Sequence, residues 1–326
     1  MDGVAPGSRR RRGALYNRGM VKIAVLASFN MDLVMRAERR PGAGETLQGA
    51  FSMHLGGKGF NQAVAARRLG AEVVVVGRVG NDAFGRQFLA ALDGEGIDRR
   101  AVVVDADEGT GVASIVVEPD GGNSILQAPQ ANRHLTSDDI AHAGEAMRCA
   151  DMAMLQLETA MAPASAFAQA MRESGATMML NPAPAMPVPA ELLALCDIIV
   201  PNEIEARALT AGRHAASATA IEMAHDLVGL GPTRAVITLG DEGAVALADG
   251  RVHRTPPFQV QVVDTVGAGD AFCAALAVRL AEGAPIEVAL RYASAAGALA
   301  CTAIGAEPSM PRRADVEALL VRGEGR

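Results

Sequence analysis

Short, continuously apolar runs alternate with longer stretches of helical periodicity through most of this chain, and that alternation constrains its fold more than any other feature. Residues 21–27, 73–77, 152–157, 177–180, 197–200 and 235–239 read as strands, while 59–69, 82–92, 164–173, 218–228, 269–280 and 286–300 read as helices. A strand that is apolar at every position needs cover on both faces, and helices between such strands favour parallel pairing. The expectation is an α/β protein with a central, mostly parallel sheet flanked by helices. Sheets of that kind bind ligands beyond the carboxyl ends of their strands.

Two regions break the rhythm. Residues from about 45–54 and 101–127 read as strand and hairpin material, with polar turns at Asp107-Glu108-Gly109 and Asp120-Gly121-Gly122-Asn123 and no long helix between them. They predict a small antiparallel sheet standing off the main one. Its apolar face needs a cover, supplied by the mouth of an active site, by a second subunit, or by both; a plain surface hairpin has the same periodicity.

Composition removes several function classes. The net charge is -7, with acids and bases interspersed, and the chain has no Trp and only two Tyr. Neither a phosphate-backbone surface nor a base-stacking platform is expected, so nucleic acid is not a partner. Cys149, Cys196, Cys273 and Cys301 lack paired spacing and read as reduced thiols of a cytoplasmic protein. The histidines show no metal-ligand spacing, and no Gly-x-Gly-x-x-Gly follows the first strand, which argues against a nicotinamide-dependent dehydrogenase. Arg9 to Arg12 precede no apolar segment long enough for a signal peptide or membrane span. Residues 1–19 are expected to be a disordered tail, or to result from a start placed upstream of Met20.

The chemistry-bearing residues fall at strand ends and helix starts. In VDTVGAGDAF, Asp264 and Asp270 flank the Gly267-Ala268-Gly269 turn that opens an Ala-rich helix. Glycine amides and the helix dipole suit an anion, and an acid in the first turn can take a proton beside it; a capped helix start after an ordinary loop fits the same residues. Asn30 and Asp32 follow the first strand and suit the hydroxyls of a polyol, or an Asx turn. Gly56-Gly57-Lys58-Gly59 leads into Asn61 and Gln62 without Walker A spacing, and Lys58 sits against the helix dipole, as expected of a residue that meets a ligand. Glu158 and Asn181 end strands. Asn202 and Glu205 suit a Mg²⁺ water shell, or a favourable first helical turn together with Glu203. Thr238-Leu239-Gly240 closes another strand with small residues, as a nucleotide phosphate or ribose needs.

From about residue 23 to 317 the chain resembles the ribokinase, or PfkB, family of carbohydrate kinases. Both signatures of that family are present, GGKGFNQAVAARRLGAE to GRVGNDAFG and VDTVGAGDAFCAAL. The segments FNMD, PGAGET, GTGVA, LQLE, NPAPA, PNEIEA, ITLG and GAEPS follow, in order, those of its ribose-phosphorylating members. The resemblance implies one Rossmann-like kinase domain over 20–326 with a β-sheet lid, the lids of two subunits clasping as a homodimer. It implies ATP-dependent phosphorylation of D-ribose at its 5-hydroxyl. Sibling acceptors are fructose, 2-keto-3-deoxygluconate, deoxyribose and adenosine, and a non-catalytic sugar-binding regulator is the remote alternative. Asp270 would be the base and the amides of Gly267, Ala268 and Gly269 the anion hole. Asn30, Asp32, Gly57, Lys58, Asn61 and Glu158 would hold the sugar. Asn202, Thr238 and Gly240 would meet ATP, with Glu205 near Mg²⁺. Asp264, Val266, Ala300, Ala303, Gly305 and Ser309 would hold K⁺.

Departures from the family pattern are Phe60 beside Asn61, Ala128–Asn132 without the usual glycine, Cys273 and Ala303. Of these, Phe60 is expected to tune the choice of sugar.

Overall fold

A computed structural model describes residues 19–119, 122–213 and 217–323. The expected tail up to residue 18, and Asp120 and Gly121 of the second polar turn, lie outside the described residues. In chain order the strands are β1 (Lys22–Ala27), β2 (Asn30–Arg36), β3 (Ala50–Gly56), β4 (Glu72–Gly80), β5 (Asp98–Asp105), β6 (Gly111–Val117) and β7 (Asn123–Ala128). They continue with β8 (Met152–Leu155), β9 (Thr177–Leu180), β10 (Ile198–Ile199), β11 (Arg234–Thr238), β12 (Ala244–Ala248) and β13 (Arg251–Thr255).

Among the described residues, nine strands form the main sheet in the order β13-β12-β11-β10-β9-β8-β1-β4-β5. Every pairing from β11 to β5 is parallel, and β12 and β13 close one edge antiparallel. Strand periodicity explains why the parallel strands are apolar throughout. In β1, Ile23, Val25 and Ala27 join a core with the helices Lys58–Arg68, Ala268–Ala281 and Ile286–Ala300. Ala24 and Leu26 point the other way, into a core with Phe167 and Met171 of the helix Met161–Ser174 and Met223 and Leu227 of Ala220–Gly229. Both faces are therefore dry, as the sequence predicts.

The edge hairpin β12–β13 is an addition to the expected strands. AVALA is as compatible with a helix as with a strand, and the local signal is the Asp249-Gly250 turn, where both residues have positive φ (51° and 73°), as a tight two-residue hairpin requires.

The second sheet has the order β3-β2-β6-β7 and corrects the expected lid in three respects. It is mixed, because β2 pairs β6 in parallel while β2–β3 and β6–β7 are antiparallel. Residues 98–105 do not belong to it; they extend the main sheet as β5. Residues 45–49 lie outside any strand, and Asn30–Arg36 supplies a central strand instead. The chain leaves β1 at Ala27 and enters β2 at Asn30 with only Ser28 and Phe29 between. Asn30 and Asp32 thus stand at the root of the lid, where it meets the carboxyl end of the main sheet.

Candidate active site

Between the lid and the carboxyl ends of the main strands lies a cleft of about 1250 Å³. Asn30, Asp32, Gly57, Lys58, Asn61, Glu158, Asp264, Val266, Gly267, Asp270 and Gly305 all line it, although they come from the whole length of the chain. Ala268, Gly269, Asn202, Glu205, Thr238, Gly240, Ala300, Ala303 and Ser309 do not line it.

Asp270 is buried in the first turn of the helix Ala268–Ala281. Its two oxygens accept hydrogen bonds from Asn61 Nδ2 and Gln62 Nε2, each at 3.0 Å. Both donors sit on the helix Lys58–Arg68, which starts at Gly57 with φ 99° and no side-chain cap. A Cβ at Gly57 would lie 2.5 Å from the Ser28 carbonyl oxygen, so only glycine lets this helix start so close to the end of β1. Glu158, just past β8, accepts the Lys58 backbone N–H at 2.8 Å and Ser28 Oγ at 2.6 Å. Gln127 of the lid strand β7 reaches the other Glu158 oxygen at 3.4 Å. Asn132 donates to Asn30 Oδ1 at 3.0 Å and bonds both backbone groups of Phe29, fixing the root of β2.

The charges are interdependent. Burial pushes the Asp32 carboxyl up to about 7, helped by Glu158 and Asp270 and opposed by Lys58. Burial also raises Asp270, against the pull of Lys58 and its two amide donors. For Lys58, burial works against the charged form, but Asp270, Glu158 and Glu205 outweigh it and raise its pKa. One ammonium group thus serves several carboxylates, an arrangement that holds negative charge in the cleft while keeping a cation there for an anionic ligand.

The second wall is the loop before Ala268–Ala281. Gly267 has φ 81° and starts the helix without a side-chain cap, and a Cβ there would meet Met310 Cε at 2.6 Å. A Cβ on Gly269 would meet nothing within 4 Å, so space lies open over this helix start. Asp264 ties the loop down: its oxygens accept from Val266 N at 3.1 Å and Gly305 N at 3.0 Å. Val263 N donates to Cys301 O at 2.8 Å. Ser309 Oγ donates to Ala306 O at 2.8 Å.

Asn202, past the end of β10, is joined as a parallel bridge to Thr238, the last residue of β11. Asn202 and Glu205 cap each other, Glu205 N donating to Asn202 Oδ1 and Asn202 N to Glu205 Oε2, both at 2.8 Å. The first-turn alternative therefore describes their local geometry. Burial nonetheless raises the Glu205 carboxyl, Lys58 acts on it from across the site, and its second oxygen makes no hydrogen bond among the described residues. Gly240, with φ 58°, opens a short 3₁₀ turn after β11.

Phe60 corrects an expectation. It is fully buried and packs edge-on against Phe88 with ring centroids 5.0 Å apart, and tilted against Phe29 at 6.1 Å. It does not line the cleft. Residues one apart on a helix diverge by about 100°, so Asn61 faces the cleft while Phe60 faces the core. Sequence reasoning missed Ser28, Asn132, Gln127 and Gln156. Of these only Gln156 carries a signal, an amide inside the apolar strand MAMLQLE.

An α/β sheet with a β lid, and a buried acid in the first turn of a helix that opens on the cleft between them, define a carbohydrate kinase. The chain belongs to the pfkB family of carbohydrate kinases, whose family model matches residues 20–313. It is 38% identical over 304 residues to the ribokinase of Bacillus subtilis, covering 92% of this chain and all of that one. A deoxyribokinase of Salmonella typhimurium is 34% identical over 291 residues, covering 89% and 95%. The solved structure of Arabidopsis thaliana ribokinase complexed with ribose and ATP superposes with a TM-score of 0.84 at 34% identity, covering 93% of this chain and 99% of that one.

Proposed function

We propose that this chain transfers the γ-phosphoryl group of ATP to the 5-hydroxyl of D-ribose, giving D-ribose 5-phosphate and ADP. The observation that carries the reading is the convergence of Asp32, Lys58, Asn61, Glu158 and Asp270 on one cleft under the lid. Ribokinase relatives of full length, among them one solved with ribose and ATP, support ribose as acceptor.

In this reading Asn30, Asp32, Gly57, Lys58, Asn61 and Glu158 hold the sugar. Asp32 accepts from its secondary hydroxyls. The unpartnered Oδ1 of Asn61 is a buried acceptor waiting for a hydroxyl. Asp270 takes the proton of the 5-hydroxyl as that oxygen attacks phosphorus in line, a contribution of about 10²–10⁴ in rate. The amides at Gly267, Ala268 and Gly269 face the charge that develops on the phosphoryl oxygens, reinforced by the helix dipole. The uncapped start and the open space above Gly269 fit such an anion. Asn202, Thr238 and Gly240 lie along the nucleotide. Lid closure over the sugar keeps water from acting as acceptor.

Two metal ions fit the donors present. The free oxygen of Glu205 suits the water shell of the Mg²⁺ that accompanies ATP and neutralises its phosphates. Asp264 and Ser309, with the backbone oxygens of Val266, Ala300, Ala303 and Gly305, offer an all-oxygen set to K⁺, and the loops that carry them are already joined through Asp264. Held there, K⁺ would supply positive charge beside the anion-hole loop. The face of the lid away from the cleft leaves Phe51, Met53 and Leu126 exposed, and a second lid covering them would make the homodimer. Among the described residues no helix is long and apolar enough to cross a membrane. A cytoplasmic location completes the proposal.

The test is an ADP-release assay against ribose, deoxyribose, fructose, 2-keto-3-deoxygluconate and adenosine, with K⁺ or choline as the cation. Ribose should give the highest kcat/KM, and K⁺ should stimulate it. Preference for another acceptor overturns the substrate, and indifference to K⁺ overturns the cation loop.

A further inference from the structure

Behind Asp270 lies a set of amides that the proposed reaction does not use. Gln62 is fully buried, and every polar atom of its amide is engaged. Nε2 donates to Asp270 Oδ1 at 3.0 Å and to Asn181 Oδ1 at 3.1 Å, and Oε1 accepts from Gln156 Nε2 at 2.5 Å. Asn181 in turn donates to the carbonyl of Val200 at 2.8 Å. These contacts admit one orientation of the Gln62 amide, since reversing it would set like groups against each other at all three partners.

Asn61 makes the instructive contrast. It bonds the other Asp270 oxygen but lines the cleft and keeps its own Oδ1 unpartnered. Gln62, Gln156 and Asn181 are all absent from the cleft wall. A side chain with no polar atom left to offer a ligand, and no exposure to one, acts through its neighbour.

We propose that Gln62, clamped by Gln156 and Asn181, is a positioning residue that fixes the plane of the Asp270 carboxylate for proton abstraction. This rests on the reading of Asp270 as the base. With Asn61 on one oxygen and Gln62 on the other, rotation of the carboxylate is blocked, and each oxygen keeps a second lone pair for the incoming proton. Buried amides are costly unless fully bonded, so a network this complete has a geometric role that apolar packing would not serve. It ends at Val200, two residues before Asn202, so the base and the strand end on the proposed nucleotide side share one set of hydrogen bonds. Burial and the charges of Glu158, Asp32 and Glu205 disfavour the ionised form of Asp270, Lys58 and the N–H donors of Asn61 and Gln62 favour it, and the Cys273 thiol, itself pushed well up by burial, carries no charge there.

The experiment compares Gln62→Met, Gln156→Met and Asp270→Asn, with thermal melts and circular dichroism as folding checks. Gln62→Met should lower kcat about tenfold or more while the KM values for sugar and ATP stay within about threefold. Loss of the donor disfavours the carboxylate, so the acidic limb of kcat against pH should move to higher pH. Gln156→Met, which leaves Gln62 in place but unclamped, should change both readouts in the same direction by less, and decides the matter if Gln62→Met does not fold. A folded variant with wild-type kcat and an unmoved limb, or with a change in KM alone, overturns the positioning role. If Asp270→Asn is inactive in that case, only this inference fails; if Asp270→Asn turns over normally, the base assignment fails and this inference with it.

Discussion

Glu158 accepts the backbone N–H of Lys58 at 2.8 Å, across 100 residues of sequence. A helix that begins at a glycine, with no side chain of its own to cap it, thereby takes its cap from the far side of β1. The same carboxylate oxygen accepts Ser28 Oγ, so Glu158 fastens the end of β1, the start of Lys58–Arg68 and the loop after β8 at one point. Negative charge there complements the helix dipole and offsets the unfavourable place of the Lys58 ammonium at the same terminus. The residues that shape the cleft wall also hold it together.

Truncating this cap should therefore weaken both the fold and sugar binding. Glu158→Ala is expected to cost about 1–2 kcal/mol, from the lost cap and an amide left without its partner, read as a lower urea midpoint. The KM for sugar should rise as well. Glu158→Gln, which keeps an acceptor oxygen, should recover most of the stability and little of the sugar affinity. An alanine variant with the wild-type midpoint would show that the cap is idle.

Asp32 links lid and charge. Burial first, then the Glu158 and Asp270 carboxylates, push its carboxyl up to about 7 against the pull of Lys58. An acid so raised is neutral below that pH and ionised above it, and only the ionised form accepts from two sugar hydroxyls at full strength. In the free enzyme kcat/KM for ribose should rise as pH passes through about 7, and Asp32→Asn should remove that rise. Asp32→Ala should raise the KM for sugar far more than that for ATP. Equal effects on both would take Asp32 out of the sugar site.

What the sequence reveals follows from how each element is buried. The parallel strands are legible because Ile23 and Val25 enter one core while Ala24 and Leu26 enter the other, leaving no polar position in the run. Strand β2 is hidden although Asn30-Met31-Asp32-Leu33 alternates as a strand does, because its polar positions face the cleft and read as loop ligands after β1. Asp270, Glu158 and Asp32 stand out because acids at strand ends and helix starts are conspicuous. Gln62 does not, and Gln156 shows only as a polar break in an apolar run, because their partners lie 208 and 94 residues away and no local pattern encodes such a pairing. Phe60 misleads because adjacency in sequence is not adjacency on a helix face.

That geometry makes a definite claim about Phe60. Its ring fills the core with Phe29 and Phe88 and lines no part of the cleft. Phe60→Ala should destabilise the protein by about 3–5 kcal/mol through the cavity it leaves. The order of preference among ribose, deoxyribose and fructose should not change, as measured on whatever folded fraction remains at low temperature. A changed order would return Phe60 to the sugar site.

Acid stability should depend on Asp105, at the end of β5. Burial pushes its carboxyl up, but the amides of Asp107 and Glu108 and the Arg78 guanidinium together outweigh burial and hold it at about 2. The contacts are close, 2.9 Å, 3.0 Å and 2.7 Å, and Arg78 also bonds Asp139 at 2.9 Å, joining β4 and β5 to the segment that follows the lid. Because the folded value lies below the ordinary 3.8, the unfolded chain binds the proton first as pH falls. The stabilisation is therefore complete above about 3.8 and is lost as pH drops towards about 2. Asp105→Asn should lower the urea midpoint at neutral pH, and the gap between wild type and variant should narrow as pH falls below about 4. A gap that stays constant down to the lowest pH at which both remain folded would mean that packing, not the ionised carboxylate, accounts for the contribution of Asp105.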